Sequence, residues 1–523
     1  MTKKLKGYYL PPSLEDLENE LDFEERELLD SKLIVPKYFS SKIAEKIVRR
    51  LRNNQEEIKN LDVNEIAKIY DIVGKNWGKK SDYPKKAIAL KYLPELTDYS
   101  PEIIEYYQFS CINEINKAIS KDLVNYRFPS EVFSRFIQIP ETETWIRAYA
   151  SIINQLRLKR TMKSGFGELK LISYITPKNV PGIIETFGIF LGNIIQSAVL
   201  IKTPYDQPLF APLYAESVKE ISPTLGETIA VVPWKGGHKE LEKVIYSHSD
   251  VVSVVSSNRT IQIISKDIQK LNKEGCNIKG CYHGQKFGLE LVSKEFLRDE
   301  IIARKVAALI ALDGAAYEGY MCSSPVLGIF IEAGGRISVS QFAQILVEES
   351  SKVSLIIPQN ESFRKNRELQ LIKLLSNPET NRKIFHDKNS DSIVVYEPKF
   401  ELKPIGQNRL HRVFEIPKIR FLIRKITRWK KYLQTIGIAI PNERLFEQKI
   451  AEKLGRVGFS SLRVVGSACI PRLGETWDDN YPIYEYYIPD LIHWVSINAG
   501  NVSDEISRLY VLYSKLVANG VFN

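Results

Sequence analysis

Cys322 is the residue of this sequence whose surroundings best suit covalent chemistry. It lies in the segment 318–325, which reads EGYMCSSP, between an apolar helical pattern and an apolar strand pattern. A thiolate in such a turn can attack a carbonyl carbon, and the small residues beside it leave room for a substrate. The backbone amides that follow the cysteine can hydrogen-bond the oxyanion that forms. A buried and inert thiol is the alternative for a lone cysteine.

The remaining cysteines offer no comparable site. Five cysteines in 523 residues are too few for a secreted disulfide framework. Cys276 and Cys281 are separated by four residues, and His283 is the only imidazole nearby. Because no second pair or histidine cluster completes a zinc site, we expect no bound metal.

A glycine pair offers a second kind of chemistry. The tetrapeptide WKGG at 234–237 follows a predicted strand and directly precedes a predicted helix. Backbone amides at Gly236 and Gly237 can approach a phosphate, while the helix N-terminus and Lys235 supply positive charge. A plain tight turn is the alternative, since paired glycines often serve only that purpose. No Gly-x-Gly-x-x-Gly follows any of the predicted strands.

These residues are positioned by a regular alternation of strands and helices in the middle of the chain. Strands are predicted at 171–176, 198–202, 228–232, 250–255 and 276–282. Helices are predicted from about 181, and at about 208–221, 239–246 and 259–271. Such βαβ units give a parallel sheet with helices on both faces, and ligands bind at the carboxyl ends of its strands.

A second α/β unit is predicted after this sheet. A helix at 300–312 and the loop 313–325 precede strands at 326–331, 353–357 and 392–396. The first 150 residues are predicted to be a mainly helical region. We therefore expect a cofactor-binding domain at 151–295, completed by 481–523, and a domain at 296–480 that carries Cys322.

The composition and charge limit the classes of function. Hydrophobic residues make up 44% and charged residues 26%, the balance of a globular protein with a sizeable core. The net charge of +10 suits anionic ligands such as nucleotides and coenzyme A. A basic run at 420–431 could bind a nucleic-acid backbone. Its apolar residues Leu422, Ile426 and Trp429, however, are spaced as on one face of a helix. An amphipathic helix with a solvated basic face explains it better, so no nucleic-acid partner is expected.

The sequence gives no membrane or export signal. The apolar stretch 183–201 is interrupted by Glu185, Asn193 and Gln196, which favours a helix followed by a buried strand over a membrane span. The N-terminus has no apolar core of a signal peptide, so a cytoplasmic location is expected.

The order of several motifs resembles that of the long-chain fatty acyl-CoA reductases of bacterial bioluminescence, within the aldehyde dehydrogenase superfamily. The resemblance runs from about 170 to about 500 and rests on the segments 177–181 (PKNVP), 192–204, 234–237, 250–257, 313–325, 477–480 and 491–494. Each motif alone is unspecific, and their common order carries the identification. Ser256 stands where glycine is usual, and the segment 477–480 is a degenerate form of the usual His-Asp-Gly.

The resemblance implies a fold, an activity and a set of site residues. The fold is aldehyde-dehydrogenase-like, with a Rossmann-like cofactor domain and an α/β catalytic domain. Cys322 takes the place of the nucleophile, and the Asn179 side chain helps to form the oxyanion hole. Lys202 would hold the adenosine ribose or its 2′-phosphate, which implies NADPH. Further cofactor-binding residues are expected among Lys235, Gly236, Gly237 and Ser257.

One departure from the superfamily bears on mechanism. Hydrolytic aldehyde dehydrogenases carry a glutamate after the fifth strand that activates water, whereas 280–284 reads GCYHG here. Without that base an acyl-thioester should persist until a hydride or a thiol removes it. His283 could tune the thiol or protonate the departing sulfur, and a structural histidine that closes the turn is the alternative.

The expected activity is thus NADPH-dependent reduction of a long-chain fatty acyl-CoA to the aldehyde through an S-acyl-cysteine. The alternatives are a superfamily reductase that uses an acyl phosphate or acyl-protein, and a non-reducing acyl carrier. An acyl-protein synthetase or another acyl-transfer protein would suit as a partner, and a homo-oligomer is left open.

Overall fold

The computed structural model describes residues 3–78, 81–109, 112, 128–140, 142–164, 167–376, 381–387, 391–470, 475–476, 481, 484–487, 492–498 and 500–518. Within these residues the backbone forms β-sheets of three, five and ten strands with helices packed around them. The predicted mixed α/β architecture is confirmed.

The N-terminal region begins with strands and continues with helices. Its sheet has the order β1-β3-β2, with strands β1 (Lys3–Lys6), β2 (Asp22–Leu28) and β3 (Ser31–Tyr38). Helices α1 (Ser41–Ile58), α2 (Val63–Trp77) and α3 (Pro84–Thr97) follow. The prediction of a mainly helical region is therefore wrong for the strands at 3–6, 22–28 and 31–38, whereas residues 12–20 form a 3-10 helix.

The physical reason lies in the partners of these strands. Strand β3 buries Leu33 and Val35 completely, two residues apart on one face. The charges of β2 pair across the strands, as the 2.8 Å contact from Lys32 Nζ to Glu25 Oε2 illustrates. Taken alone, the Glu-, Arg- and Leu-rich sequence of β2 has the composition of a helix, so the pairing is not visible in it.

The N-terminal region also covers the central sheet. Helix α1 starts at the cap Ser40 and buries Ile43, Ile47 and Leu51 in the same apolar cluster as that sheet. Tyr9 forms a backbone bridge with Val231 of the sheet's edge strand. The region thus extends the unit built on the five-stranded sheet.

Strands β4 (Ile137–Gln138) and β5 (Thr144–Tyr149) and helix α4 (Ile152–Ser164) lead into the five-stranded sheet. Its strands are β6 (Leu171–Ile175), β7 (Ala198–Thr203), β8 (Ile229–Pro233), β9 (Val251–Val255) and β10 (Lys279–His283). Its helices are α5 (Ile183–Ile194), α6 (Phe210–Ile221), α7 (Lys239–Ser247) and α8 (Asn258–Lys273). These elements agree with the sequence prediction to within a few residues.

The strand order places a ligand crevice in this sheet. The order is β10-β9-β6-β7-β8, and the neighbouring strands are parallel. The connections run outward in opposite directions from β6, so the topological switch lies between β6 and β9. Open parallel sheets bind ligands outside the carboxyl ends of the strands at such a point.

The ten-stranded sheet has the order β13-β14-β15-β12-β11-β16-β17-β18-β5-β4. Its further strands are β11 (Phe287–Val292), β12 (Ile329–Glu332), β13 (Lys383–His386), β14 (Ile393–Glu397), β15 (Leu410–Ile416), β16 (Leu433–Ala439), β17 (Ser461–Val464) and β18 (His493–Asn498). Its helices are α9 (Glu300–Ala315), α10 (Val339–Ile356), α11 (Glu361–Ser376), α12 (Ile419–Ile426), α13 (Ile450–Arg456) and α14 (Val502–Ala518).

Two predictions about secondary structure need correction in this unit. The segment 353–357, predicted as a strand, lies almost wholly in α10, which begins with a capping box between Ser338 and Gln341. A short buried apolar run does not by itself distinguish a helix from a strand. Strand β12 starts at Ile329 instead of Val326, because Gly328 adopts a φ of 124° just before it.

The C-terminal segment belongs to the ten-stranded sheet. Strand β18 pairs with β17 and β5, and α14 packs on α9 and α10. The predicted assignment of 481–523 to the cofactor domain is therefore wrong for 493–518. Near Tyr486 the chain does touch the five-stranded unit, since its hydroxyl lies 2.7 Å from that of Tyr174. The segment 477–480 and Leu491 lie outside the described residues.

The apolar stretch 183–201 and the basic run 420–431 both have the predicted character. The stretch 183–201 forms the helix α5 and the buried strand β7, as predicted. Helix α12 buries Leu422 and Ile426 while Arg424 and Lys425 are exposed, which confirms its amphipathic character. No helix in the described part of the chain is long and apolar enough to cross a bilayer.

Two carboxyl groups are buried together in the core of the second unit. Glu290 of β11 is fully buried, and Asp313 of α9 accepts hydrogen bonds from the amides of Gly466 (2.5 Å) and Ala468 (3.0 Å). Burial and the neighbouring charge of Asp313 raise the pKa of Glu290 well above its usual range. Burial raises the pKa of Asp313 to about 7. The pair therefore holds protons at neutral pH.

This proton uptake predicts a pH-dependent stability. Because both folded pKa values exceed those of an unfolded chain, unfolding releases protons, and the free energy of unfolding should fall as pH rises from about 5 to about 7. Each released proton contributes up to about 1.4 kcal/mol per pH unit. Glu290→Gln should flatten this slope in urea unfolding, whereas Glu57→Gln, at an exposed carboxyl, should not. An unchanged slope in Glu290→Gln would contradict the prediction.

Candidate active site

The segment 317–324, the nucleophile loop, connects α9 to the turn before β12 and carries Cys322. The Cys322 side chain is half-buried, as is that of Cys276, whereas Cys281 and Cys469 are buried. Cys111 lies outside the described residues. Cys322 is therefore not enclosed in the apolar core. A nucleophilic cysteine must be accessible in this way.

The loop begins with three consecutive residues in the left-handed region. Their φ angles are 45° at Tyr317, 53° at Glu318 and 79° at Gly319. A non-glycine residue in this conformation costs about 1–3 kcal/mol and persists only where its surroundings enforce it. The sharp turn is thus a constrained feature of the backbone immediately before Cys322.

Gly288 of β11 allows the other end of the loop to lie close to the sheet. Its amide donates to the Ser324 carbonyl at 3.1 Å. A Cβ atom at Gly288 would come within 2.5 Å of the Ser323 carbonyl oxygen and 2.7 Å of that of Ser324. Only glycine fits at this distance, so the sheet forms a close backing to the loop.

Asn179 links the nucleophile loop to the five-stranded sheet. It lies in the turn after β6, and its side-chain Nδ2 donates to the Tyr320 carbonyl at 2.5 Å. The Asn179 carbonyl in turn accepts from the Tyr99 hydroxyl at 2.9 Å. The structure therefore brings the segment of Asn179 to that of Cys322, two segments that the sequence predicted separately. The amide nitrogen carries a second hydrogen, which suits an oxyanion donor.

Lys202 lies in β7, at the edge where the predicted cofactor residues collect. Its side chain is half-buried, with Nζ 5.9 Å from the ring centre of Trp234. Burial lowers the pKa of Lys202, and the nearby charges of Glu242 and Asp206 oppose this effect. A partly desolvated ammonium gains more from an anionic ligand than one in water does.

The glycine pair 236–237 is held by a hydrogen bond on one side and has free space on the other. The Gly237 amide donates to Glu242 Oε1 at 3.1 Å, and Trp234 Nε1 donates to the same oxygen at 3.3 Å. Gly237 has a φ of 95°, and a Cβ atom at Gly236 or Gly237 would meet no atom within 4 Å. The loop therefore exposes its backbone to a space that a ligand could fill.

Two positively charged side chains lie over the aromatic ring of Tyr205, beside this loop. Lys235 Nζ lies 5.0 Å from the ring centre of Tyr205, and Arg26 Cζ lies 4.2 Å from it. Arg26 also donates to the Tyr205 carbonyl at 2.6 Å and forms an ion pair with Glu24. Arg26 could not be placed here from the sequence, because the N-terminal hairpin is far from Lys235 along the chain.

Ser257 occupies the corresponding place after β9. Its side chain is exposed and caps α8 by accepting from the Thr260 amide at 3.2 Å. Lys202, Gly236 and Ser257 thus lie at or near the carboxyl ends of three strands of one parallel sheet, along the edge that contains the switch point.

His283 ends β10 and is almost completely buried. Its Nε2 lies 3.1 Å from Glu485 Oε2, and its carbonyl accepts from the Ser256 amide at 3.1 Å. The sequence around 280–284 contains no carboxylate, but the fold supplies that of Glu485 from a distant segment of the chain. A catalytic role of His283 stays a prediction. Within the described part of the chain, no group of three or more His, Cys, Asp or Glu side chains is placed to hold a metal ion.

Comparison with known proteins relates this geometry to a family. The sequence model of the acyl-CoA reductase (LuxC) family matches residues 154–487, more than half of the chain. The chain belongs to the acyl-CoA reductase (LuxC) family. It is accordingly an oxidoreductase that acts on acyl or aldehyde groups, as the resemblance of its motifs implied. A comparison with curated protein sequences gives no significant match.

Solved structures show the fold of this acyl-CoA reductase family member. Lactaldehyde dehydrogenase from Escherichia coli is 12% identical and superimposes with a TM-score of 0.62, covering 95% of this chain and 100% of its own. Aldehyde dehydrogenase 21 from Physcomitrella patens, solved with the product succinate, is 10% identical with a TM-score of 0.62, covering 96% and 99%. The aldehyde-dehydrogenase-like fold is confirmed and extends over the N-terminal region.

A third solved structure holds ligands. Aldehyde dehydrogenase C from Pseudomonas syringae, solved with NAD+ and octanal, is 11% identical with a TM-score of 0.58. It covers 94% of this chain and 96% of its own. At this sequence identity the similarity establishes the fold alone and does not identify the ligands of the present protein.

The exposure of the cysteines predicts a pattern of modification. Iodoacetamide should alkylate Cys322 and Cys276 in the native protein, and Cys281 and Cys469 only after unfolding, because buried thiols are inaccessible. Only modification of Cys322 should abolish acyl-CoA reduction, so Cys276→Ala should be inactivated at the parental rate. Peptide mapping by mass spectrometry measures the sites. Loss of activity without modification of Cys322 would move the nucleophile elsewhere.

Proposed function

We propose that this protein reduces a long-chain fatty acyl-CoA to the corresponding aldehyde, with NADPH as the reductant and Cys322 as the nucleophile. The observation that carries the proposal is the contact between Asn179 Nδ2 and the Tyr320 carbonyl. It joins the loop of a half-buried cysteine to the turn after β6, beside the switch point of a nucleotide-binding sheet. A thioester carbon at Cys322 would therefore lie near the place where such sheets hold a dinucleotide.

The residues at this edge fit a dinucleotide. Gly236 and Gly237 have open space beside their Cα atoms, which suits the close approach of a phosphate, while the Gly237 amide already donates to Glu242. The half-buried side chain of Lys202 and the exposed N-terminus of α8 at Ser257 add positive charge and amide donors. When bound, the reduced nicotinamide supplies a hydride.

The cations around Tyr205 favour NADPH over NADH. The two cofactors differ by a 2′-phosphate, which carries about two negative charges near neutral pH. Arg26 and Lys235 lie over the same ring, and the ion pair with Glu24 offsets part of the charge of Arg26. An arginine near the adenosine ribose is the usual partner of a 2′-phosphate.

The first chemical step belongs to Cys322 and its loop. The thiolate attacks the thioester carbonyl, a carbon–sulfur bond forms, and the carbonyl oxygen becomes an oxyanion. The Cys322 amide and the second hydrogen of Asn179 Nδ2 stabilise that charge, and one such donor is typically worth about 10²–10³-fold in rate. When the carbonyl re-forms, coenzyme A leaves as a thiolate that takes up a proton, and an S-acyl-cysteine remains.

The second step depends on keeping water away from the S-acyl group. In hydrolytic relatives the resemblance places a carboxylate base after the fifth strand, and here that turn has His283 instead. The carboxylate of Glu485 is buried and lies against His283, so it is not available to activate a free water molecule. After the hydride has reached the acyl carbon, the same donors hold the oxyanion, and expulsion of the Cys322 thiolate yields the aldehyde.

The proposal predicts a defined stoichiometry. With a series of acyl-CoA chain lengths, the protein should oxidise one NADPH for each aldehyde formed and each coenzyme A thiol released. Absorbance of NADPH, a thiol assay and aldehyde analysis measure the three quantities. Acylation without NADPH oxidation would show an acyl carrier, and turnover with an acyl phosphate alone would show a different reductase. Either result would overturn the proposed reaction.

Lys202→Ala tests the cofactor contact. The variant should bind NADPH at least about tenfold more weakly, because a hydrogen bond to a charged group contributes about 1.5–3 kcal/mol. Binding of NADH should change much less. Direct titration with both cofactors measures this, and Lys270→Ala is the control, since Lys270 is 77% exposed at the far end of α8. Equal loss for both cofactors would exclude a 2′-phosphate contact.

A further inference from the structure

A second loop lies directly on the nucleophile loop. This segment, 406–409, which we call the clamp loop, precedes β15. The Asn408 amide donates to the Glu318 carbonyl at 2.8 Å, and the Tyr320 hydroxyl donates to Asn408 Oδ1 at 3.3 Å. The clamp loop therefore holds the chain on the N-terminal side of Cys322.

The clamp loop also contacts the chain on the C-terminal side of Cys322. The Gly406 amide donates to the Val326 carbonyl at 3.0 Å, four residues after Cys322. A Cβ atom at Gly319 would come within 2.9 Å of the Gly406 oxygen, so the two backbones meet at two glycines. Asn408 and Arg409 have backbone conformations in the left-handed region, with φ angles of 56° and 59°, as does Glu318 opposite them.

A buried ion pair joins the two loops. Arg409 Nη2 lies 2.7 Å from Glu318 Oε1, and Arg409 Nε lies 3.2 Å from Glu318 Oε2. The two side chains are 1% and 0% exposed. Their remaining groups are also engaged, because Arg409 Nη1 donates to the Ile357 carbonyl at 2.7 Å and Gln359 Nε2 donates to Glu318 Oε2 at 2.6 Å.

We propose that Glu318 and Arg409 are positioning residues for the Cys322 thiol. Their bidentate pair holds the left-handed turn at the start of the nucleophile loop. The turn fixes the place of Tyr320, whose carbonyl receives Asn179, and so sets the sulfur of Cys322 relative to the oxyanion donor. A displacement of about 1 Å in such a geometry can cost about 10²-fold in rate. The inference takes from the proposed function only that Cys322 is the nucleophile.

The same sheet contains a matched control pair. Arg412 Nε lies 2.9 Å from Glu397 Oε1, with side-chain exposures of 3% and 2%. Arg412 is only three residues from Arg409 but belongs to β15, and Glu397 ends β14. Arg412 also pairs with Glu401 at 2.8 Å, and Glu397 with Arg382 at 2.9 Å. Glu397→Gln therefore removes a buried carboxylate charge from a cluster of ion pairs, at a place where the described structure shows no hydrogen bond or ion pair to the nucleophile loop.

The experiment compares Glu318→Gln with Glu397→Gln in the full chain. Three quantities are measured on each: kcat and KM for acyl-CoA, the rate of alkylation of Cys322 by iodoacetamide, and the midpoint of urea unfolding. Cys276→Ala serves as the background for both, and alkylation is followed by mass spectrometry on the peptide that contains Cys322.

Both variants should unfold at lower urea, because each removes a buried carboxylate that compensates a neighbouring arginine charge. Glu318→Gln should lower kcat by about tenfold or more with KM within about threefold, and should alter the alkylation rate by about threefold or more. Glu397→Gln should leave kcat and the alkylation rate close to the parental values. This split separates a positioning role from one in stability alone.

The proposal is overturned if folded Glu318→Gln keeps parental kcat and alkylation, or if Glu397→Gln loses both to the same extent. If Glu318→Gln does not fold, Arg409→Lys keeps the positive charge but loses the bidentate geometry, and the same criteria apply to it. An altered alkylation rate in a protein that does not reduce acyl-CoA would remove the proposed function and leave the positioning role intact.

Discussion

The left-handed turn at Tyr317 and Glu318 is the constraint on which the candidate site depends. Each of these residues costs about 1–3 kcal/mol in that conformation, so the turn does not persist by itself. Removing one partner from a buried ion pair costs about 3–5 kcal/mol, which is of the same size as the strain. The contacts of Glu318 with Arg409 are therefore large enough to decide the conformation of the loop. Without them, the backbone before Cys322 would relax toward ordinary helical or extended angles.

The turn matters because two sheets meet there. Asn179 extends from the end of β6 to Tyr320, while Gly288 of β11 and the clamp loop enclose the same short segment from the second unit. Cys322 at this junction lies between the proposed nucleotide-binding edge and the ten-stranded sheet. The N-terminal region completes the first of these, since α1 packs on the five-stranded sheet and Arg26 lies on Tyr205.

The parts of the fold that repeat locally could be predicted from the sequence, and those that pair distant segments could not. The strands and helices from β6 to β10 follow from apolar periodicity and short turns. The Asn179 and Cys322 segments were identified by the order of their motifs. The pairing of Glu318 with Arg409 spans 91 residues, and that of β18 with β5 has no local signal. Strand β2 was missed because its cross-strand charges look like a helical composition.

The most direct test of this account is the mass of the intact protein after incubation with a long-chain acyl-CoA in the absence of NADPH. The account predicts an increase by one acyl group per chain, carried on the peptide that contains Cys322. Addition of NADPH should then restore the original mass as aldehyde appears. An adduct on another residue, or aldehyde formation with Cys322 replaced by alanine, would contradict it.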